Sequence, residues 1–243
     1  MRLTSASQLV LLPGLLCDAR IFAAQVACFP DAVAVDGFGT LRSIADMAVR
    51  ALAAAPGRIA LLGHSMGARV ALEAWRLAPE RIDRLALVST GVHLPRAGEA
   101  EKRFTLRDLG RSDGAEALVD RWLPPMVAPS RIGDDALNQP LRAMCVDAGV
   151  DAYAAQIEAL LDRPEAESVL PTIDCPTLVM VGREDAWSPP AQHVAIAAAV
   201  PDAELVVVEG VGHMLPAEAP NEFNAAIADW LSRPARHTRT GDR

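Results

Sequence analysis

Arg58-Ile59-Ala60-Leu61-Leu62-Gly63-His64-Ser65-Met66-Gly67-Ala68 is the stretch on which the fold turns. Arg58-Leu62 is short and nearly all apolar, as a strand buried on both faces is. Met66-Ala78 reads as a helix whose small residues Ala68, Ala71 and Ala74 let it lie close against a sheet. Between strand and helix stands Gly-x-Ser-x-Gly. A serine raised above a strand end on so tight a turn has a strained backbone, and side chains two positions to either side would collide, hence Gly63 and Gly67. The amides that open the following helix point at the serine and favour negative charge there. Ser65 is therefore the candidate nucleophile, and His64 is read as packing within the turn.

Outward from this unit, apolar runs alternate with alanine-rich helical stretches, the pattern of βαβ units and a mostly parallel sheet. Strands are expected at Gln8-Leu12, Ala32-Val35, Arg58-Leu62, Leu85-Ser89, Thr177-Val181 and Glu204-Val208, about six in all. Helices are expected at Ala19-Phe29, Leu41-Ala55, Met66-Ala78, Ala191-Ala199 and Ala217-Leu231, with Pro79, Pro201 and Pro234 placed to end three of them. The rhythm breaks between Thr90 and Asp174, about 80 residues where a crossover needs about a dozen. The domain boundaries that follow are a core of residues 1–91 and 174–232, a helical lid at 92–173 and a flexible tail at 233–243. Within the lid, helical segments are read at Gly114-Trp122 and Ala148-Leu161, separated by Pro124-Pro125, Pro129 and Pro140.

Composition narrows the partners. Of the 243 residues 51% are hydrophobic and 22% charged, the balance of a globular protein. A formal net charge of -8 gives no attraction to phosphate backbones or anionic lipid, so a small-molecule substrate is expected, with no nucleic acid and no membrane as partner. Cys17, Cys28, Cys145 and Cys175 contain no C-x-x-C pair, which argues against a zinc site or a disulfide framework and suits a reducing cytoplasm. The apolar run Leu9 to Leu16 is not read as a signal peptide, because Pro13-Gly14 interrupts it and leucine precedes Cys17. A monomer or homodimer is expected.

A serine hydroxyl needs a base, and the base needs a group to orient it. The strand Thr177-Val181 runs into Gly182-Arg183-Glu184-Asp185, and Glu204-Val208 runs into Glu209-Gly210-Val211-Gly212-His213. Both segments lie just past a strand end, the edge of a parallel sheet where ligands bind. Ser65, an acid from Glu184 or Asp185, and His213 therefore meet there, in the chain order Ser, acid, His. Of the other histidines, His193 falls in a predicted helix, His237 in the tail and His93 at the first hinge of the lid, where it is kept as a pocket wall.

With these motifs together the chain resembles the α/β-hydrolase superfamily, specifically its small, lid-bearing ester hydrolases. The resemblance also covers Leu12-Pro13-Gly14-Leu15-Leu16, Cys175-Pro176-Thr177-Leu178-Val179 and Gly212-His213-Met214 with Glu218 and Pro220. It departs at Pro13-Gly14, where many relatives have His-Gly, and at Gly67-Ala68, where many have Gly-Gly. The resemblance implies an α/β-hydrolase fold and ester hydrolysis through an acyl-enzyme, with Ser65, Asp185 and His213 catalytic and no metal or cofactor. It implies an oxyanion hole from the backbone N–H groups of Met66 and Leu15, with Leu16 as the alternative second donor because Pro13 alters the loop. Related folds also hydrolyse carbon–carbon bonds or lactones or perform an elimination in menaquinone synthesis, and a few act as ligand receptors.

Substrate choice is expected in the lid. Arg96, Lys102, Arg103, Arg107 and Arg111 outweigh Glu99, Glu101 and Asp108 there, and are read as a solvated helix face rather than an anion site. Trp122, Met126, Met144, Tyr153 and Trp187 are candidates for an apolar acyl pocket.

Overall fold

The computed structural model describes residues 7–236. Six parallel strands form one sheet: β1 (Gln8–Leu12), β2 (Val33–Ala34), β3 (Ile59–His64), β4 (Ile82–Val88), β5 (Thr177–Gly182) and β6 (Ala203–Val208). Their order is β2-β1-β3-β4-β5-β6. β3 and β5 are buried along their whole length, which is why their sequences are continuously apolar rather than alternating. The edge strands are the weak ones, β2 shrinking to two residues and β6 half-exposed.

The helices are α1 (Ala23–Cys28), α2 (Ile44–Ala53), α3 (Met66–Leu77), α4 (Glu99–Trp122), α5 (Asp135–Leu161), α6 (Pro190–Ala199), α7 (Leu215–Glu218) and α8 (Pro220–Ser232). Right-handed crossovers put α2, α3 and α6 on one face of the sheet and α1 with α8 on the other, and α2 packs on α3 while α1 packs on α8. The crossover from β1 leads to one side and the return from β2 to the other. The strand order thus reverses between β1 and β3, and a crevice opens at their carboxyl ends. The expected helix at Ala19-Phe29 begins as a 3₁₀ turn over Ala19–Phe22, and Pro220 divides the expected Ala217-Leu231 helix from the short α7.

The long interval between β4 and β5 is helical and larger in helix content than its sequence suggested. α4 and α5 pack on each other, and each bends at one glycine held at positive φ, Gly114 at 92° and Gly149 at 82°. The expected segments Gly114-Trp122 and Ala148-Leu161 are the halves beyond those bends. Pro140 does not separate segments as expected; it lies in the second turn of α5, where it removes one backbone hydrogen bond without ending the helix. Asp134 caps α5 by accepting from Leu137 N.

Residues 233–236, the described part of the expected tail, contact the core. Arg233 donates to the Thr177 carbonyl and pairs with Asp202, while Arg236 pairs with Asp174 and lies over the Trp75 ring. Residues 237–243, with His237, lie outside the described residues. No described helix is long and apolar enough to cross a membrane.

Candidate active site

At the end of β3 the chain turns through Ser65 with φ 56° and ψ −115°, a conformation costly for any residue with a Cβ. Surrounding bonds hold it: Ser65 N donates to the Val88 carbonyl at 2.8 Å, and Thr90 Oγ1 donates to the Ser65 carbonyl at 3.1 Å. A Cβ on Gly63 would strike the Gly67 backbone, and one on Gly67 would strike the Leu12 carbonyl. The two glycines therefore let the turn close against β1.

Three side chains from three strand ends meet here. His213 Nε2 lies 2.8 Å from Ser65 Oγ, and His213 Nδ1 lies 2.8 Å from Asp185 Oδ2. Asp185 Oδ1 accepts the backbone N–H groups of Trp187 at 2.9 Å and Ser188 at 2.8 Å. Burial opposes ionisation of Asp185, but the adjoining His213 and these donors hold its carboxyl below the usual range. Glu184, the sequence alternative, is exposed, whereas Asp185 is buried.

The His213 loop is braced on all sides. His64, read as turn packing, is fully buried and donates from Nε2 to the His213 carbonyl at 2.8 Å. Burial, with His213 beside it, pulls its imidazole down to about 3, so it is a neutral prop. His213 N donates to the Met126 carbonyl at 2.8 Å. The buried Glu218 carboxylate accepts from Ala128, Gly212 and Met214 N at 2.8, 3.0 and 2.9 Å. The segment around Met126 and Ala128, part of the insertion, thus holds the His213 loop.

His193 is buried in α6, donating from Nδ1 to the Pro189 carbonyl and accepting Thr90 N at Nε2, so it supports the end of β4 and is not solvated. His93 lines the cavity, as its hinge position suggested.

A cavity of about 320 Å³ opens over Ser65, lined by core and insertion together. Among described residues, neither Met66 N nor Leu15 N has an intramolecular hydrogen-bond partner, and both residues line the cavity. Leu16 N is taken: it donates to Gln156 Oε1 of α5 at 2.9 Å, which removes the alternative second donor. Trp122, Met126 and Trp187 line the cavity, while Met144 and Tyr153 are buried in the insertion away from it. Arg96, Lys102 and Arg103 line it too, so the face read as solvated also borders the cavity, while Arg107 pairs with Asp108. Two further arginines escaped the sequence reading, Arg69 of α3 and Arg163 just past α5. The position of Arg69 in the first turn of the helix that follows Ser65 was the available signal. No group of three or more metal-ligating side chains is assembled among the described residues.

The sheet order and the Ser65–His213–Asp185 arrangement agree with the match of residues 9–226 to a family model, and the chain belongs to the alpha/beta hydrolase family. It is a hydrolase of that family. It is 28% identical over 250 residues to "Putative carbamate hydrolase RutD" of Pseudomonas savastanoi pv. phaseolicola, across 93% of this chain and 94% of that one. A thermophilic esterase of Thermogutta terrifontis, solved with malate bound, superposes with a TM-score of 0.84 at 27% identity, across 93% of this chain and 89% of the esterase. The enol-lactonase of Burkholderia xenovorans LB400 shares the fold with a TM-score of 0.82 at 24% identity, across 96% and 94%.

Proposed function

We propose that the protein hydrolyses carboxylic esters of small or medium acyl substrates through an acyl-enzyme. The observation that carries this reading is the hydrogen-bonded series Ser65 Oγ, His213 Nε2, His213 Nδ1, Asp185 Oδ2, with 2.8 Å at both links, at the floor of a cavity. Ser65 Oγ attacks the ester carbonyl as His213 Nε2 takes its proton. Asp185 keeps the imidazole in the tautomer with Nδ1 protonated and stabilises the imidazolium. The tetrahedral oxyanion faces the unpartnered N–H groups of Met66 and Leu15, each such donor being worth about 10²–10³ in rate. His213 then protonates the leaving alcohol, and water repeats the sequence on the acyl-enzyme. The insertion acts as a lid whose underside selects substrate.

The similarity to an esterase structure across 93% of the chain supports ester chemistry. The carbamate hydrolase relative supports carbamate cleavage by the same three residues as a second reading. Ser65→Ala should lower kcat on an ester by roughly 10⁶ if the three residues act as a unit. A variant that kept more than a few per cent would end the proposal. Turnover of carbamates in preference to short esters would favour the second reading.

A further inference from the structure

The cavity is strongly cationic in an acidic protein. Arg69, Arg96, Lys102, Arg103 and Arg163 line it against the single anion Glu99, while the chain as a whole has a formal net charge of -8. Two of these cations are deeply buried, Arg163 at 4% exposure and Arg69 at 8%.

Glu99 is already engaged. Arg163 donates to both its oxygens at 2.6 and 3.0 Å, and Arg103 donates to Oε1 at 2.9 and 3.1 Å. Burial opposes the charge on Glu99, but the hydrogen bonds from Arg163 and the Arg96 backbone N–H, with Arg103 beside them, bring its carboxyl down to about 2. One carboxylate therefore answers the three guanidinium groups of Arg69, Arg103 and Arg163. Arg69 has the poorest company. Its Nη2 donates to the His93 carbonyl at 2.7 Å, while Nη1 is buried with no partner among the described residues. Burial, and then the adjacent Arg163, disfavour its charge, which lowers it to about 9.

A buried, unbalanced pair of cations destabilises a fold unless something completes it. Its position says what. Arg69 stands in the first turn of α3, directly after the Ser65 turn, and both line the same cavity, so an anion it holds shares that cavity with a carbonyl at Ser65. Guanidinium forks match planar carboxylates. We propose that the cavity selects esters carrying a second, ionised carboxylate, seated against Arg69 and Arg163. The proposal rests on the ester hydrolase reading and names its substrate class.

Monomethyl adipate and methyl hexanoate have equal chain lengths and differ in the terminal group. With methanol release as the readout, the wild type should show kcat/KM at least about tenfold higher for the half-ester, the effect of one charge-assisted hydrogen bond. Arg69→Gln should lower that ratio by about tenfold or more, chiefly through KM, and Arg69→Lys should restore part of it. A wild type that turns over both esters equally, or prefers methyl hexanoate, would overturn carboxylate selection and leave ester hydrolysis standing. If neither ester is turned over, the ester reading fails, and calorimetry with adipate decides the site by itself. Binding that weakens at least about tenfold in Arg69→Gln supports the site; no binding to the wild type overturns it.

Discussion

Asp185→Asn changes one atom and should nearly silence the enzyme, because the surroundings of Asp185 force the new amide to face the wrong way. Oδ1 accepts two backbone N–H groups, from Trp187 and Ser188, and Oδ2 faces His213 Nδ1 at 2.8 Å. An asparagine has one oxygen to share between these two sides. If the oxygen stays with the two N–H groups, the amide NH₂ faces His213 and donates to Nδ1. The imidazole proton then sits on Nε2, which can no longer accept from Ser65. Turning the amide over restores the tautomer but leaves two N–H groups facing an NH₂, at about 1–3 kcal/mol each. That is roughly 2–6 kcal/mol against the productive orientation, or about 30-fold to more than 10⁴-fold. With the lost stabilisation of the imidazolium added, kcat should fall by about 10⁴. The assay is turnover of a short activated ester near pH 8, beside a thermal melt to show that the variant folds. A folded Asp185→Asn protein with more than about a tenth of wild-type kcat would refute the tautomer argument.

Glu218→Ala should remove an acceptor from three buried N–H groups and destabilise the protein by about 2–5 kcal/mol in urea unfolding, with kcat falling as the His213 loop loosens. An unchanged unfolding midpoint would contradict that role. Burial holds His64 at about 3 and His193 at about 4, both below the ordinary histidine value. The unfolded chain therefore binds more protons than the folded one in this range. Stability from these residues is complete above about pH 6.5 and is lost as pH falls, by about 1.4 kcal/mol per unit for each histidine kept neutral. Denaturation midpoints measured from pH 7 to pH 4 should fall accordingly, and His193→Gln should flatten the slope; a flat wild-type profile would count against neutral burial.

The strands around the site were legible because a strand covered on both faces is apolar throughout, and β1, β3 and β5 have little else to be. Ser65 was legible because its turn follows β3, and His213 because its turn follows the apolar run of β6, although that edge strand is only half-covered. The acid was left between Glu184 and Asp185 by the strand pattern, since burial of one and exposure of the other is set by the loop from Gly182 to Ser188 folding back on itself. The insertion was harder to read. The first half of α4 is charged, and only Gly110 in it is buried, so no apolar stripe announces the helix. The first half of α5 contains Pro140, which ordinarily signals a stop. Arg69, Arg163 and Gln156 gained their roles only when the insertion closed over the sheet and brought distant residues into contact.

Ser65 as the nucleophile is the centre of the account, and covalent labelling tests it most directly. A fluorophosphonate should add to the native protein once, with the mass increase on the peptide containing Ser65, and Ser65→Ala should remain unmodified. An unlabelled native protein, or an adduct on any other residue, would contradict the account.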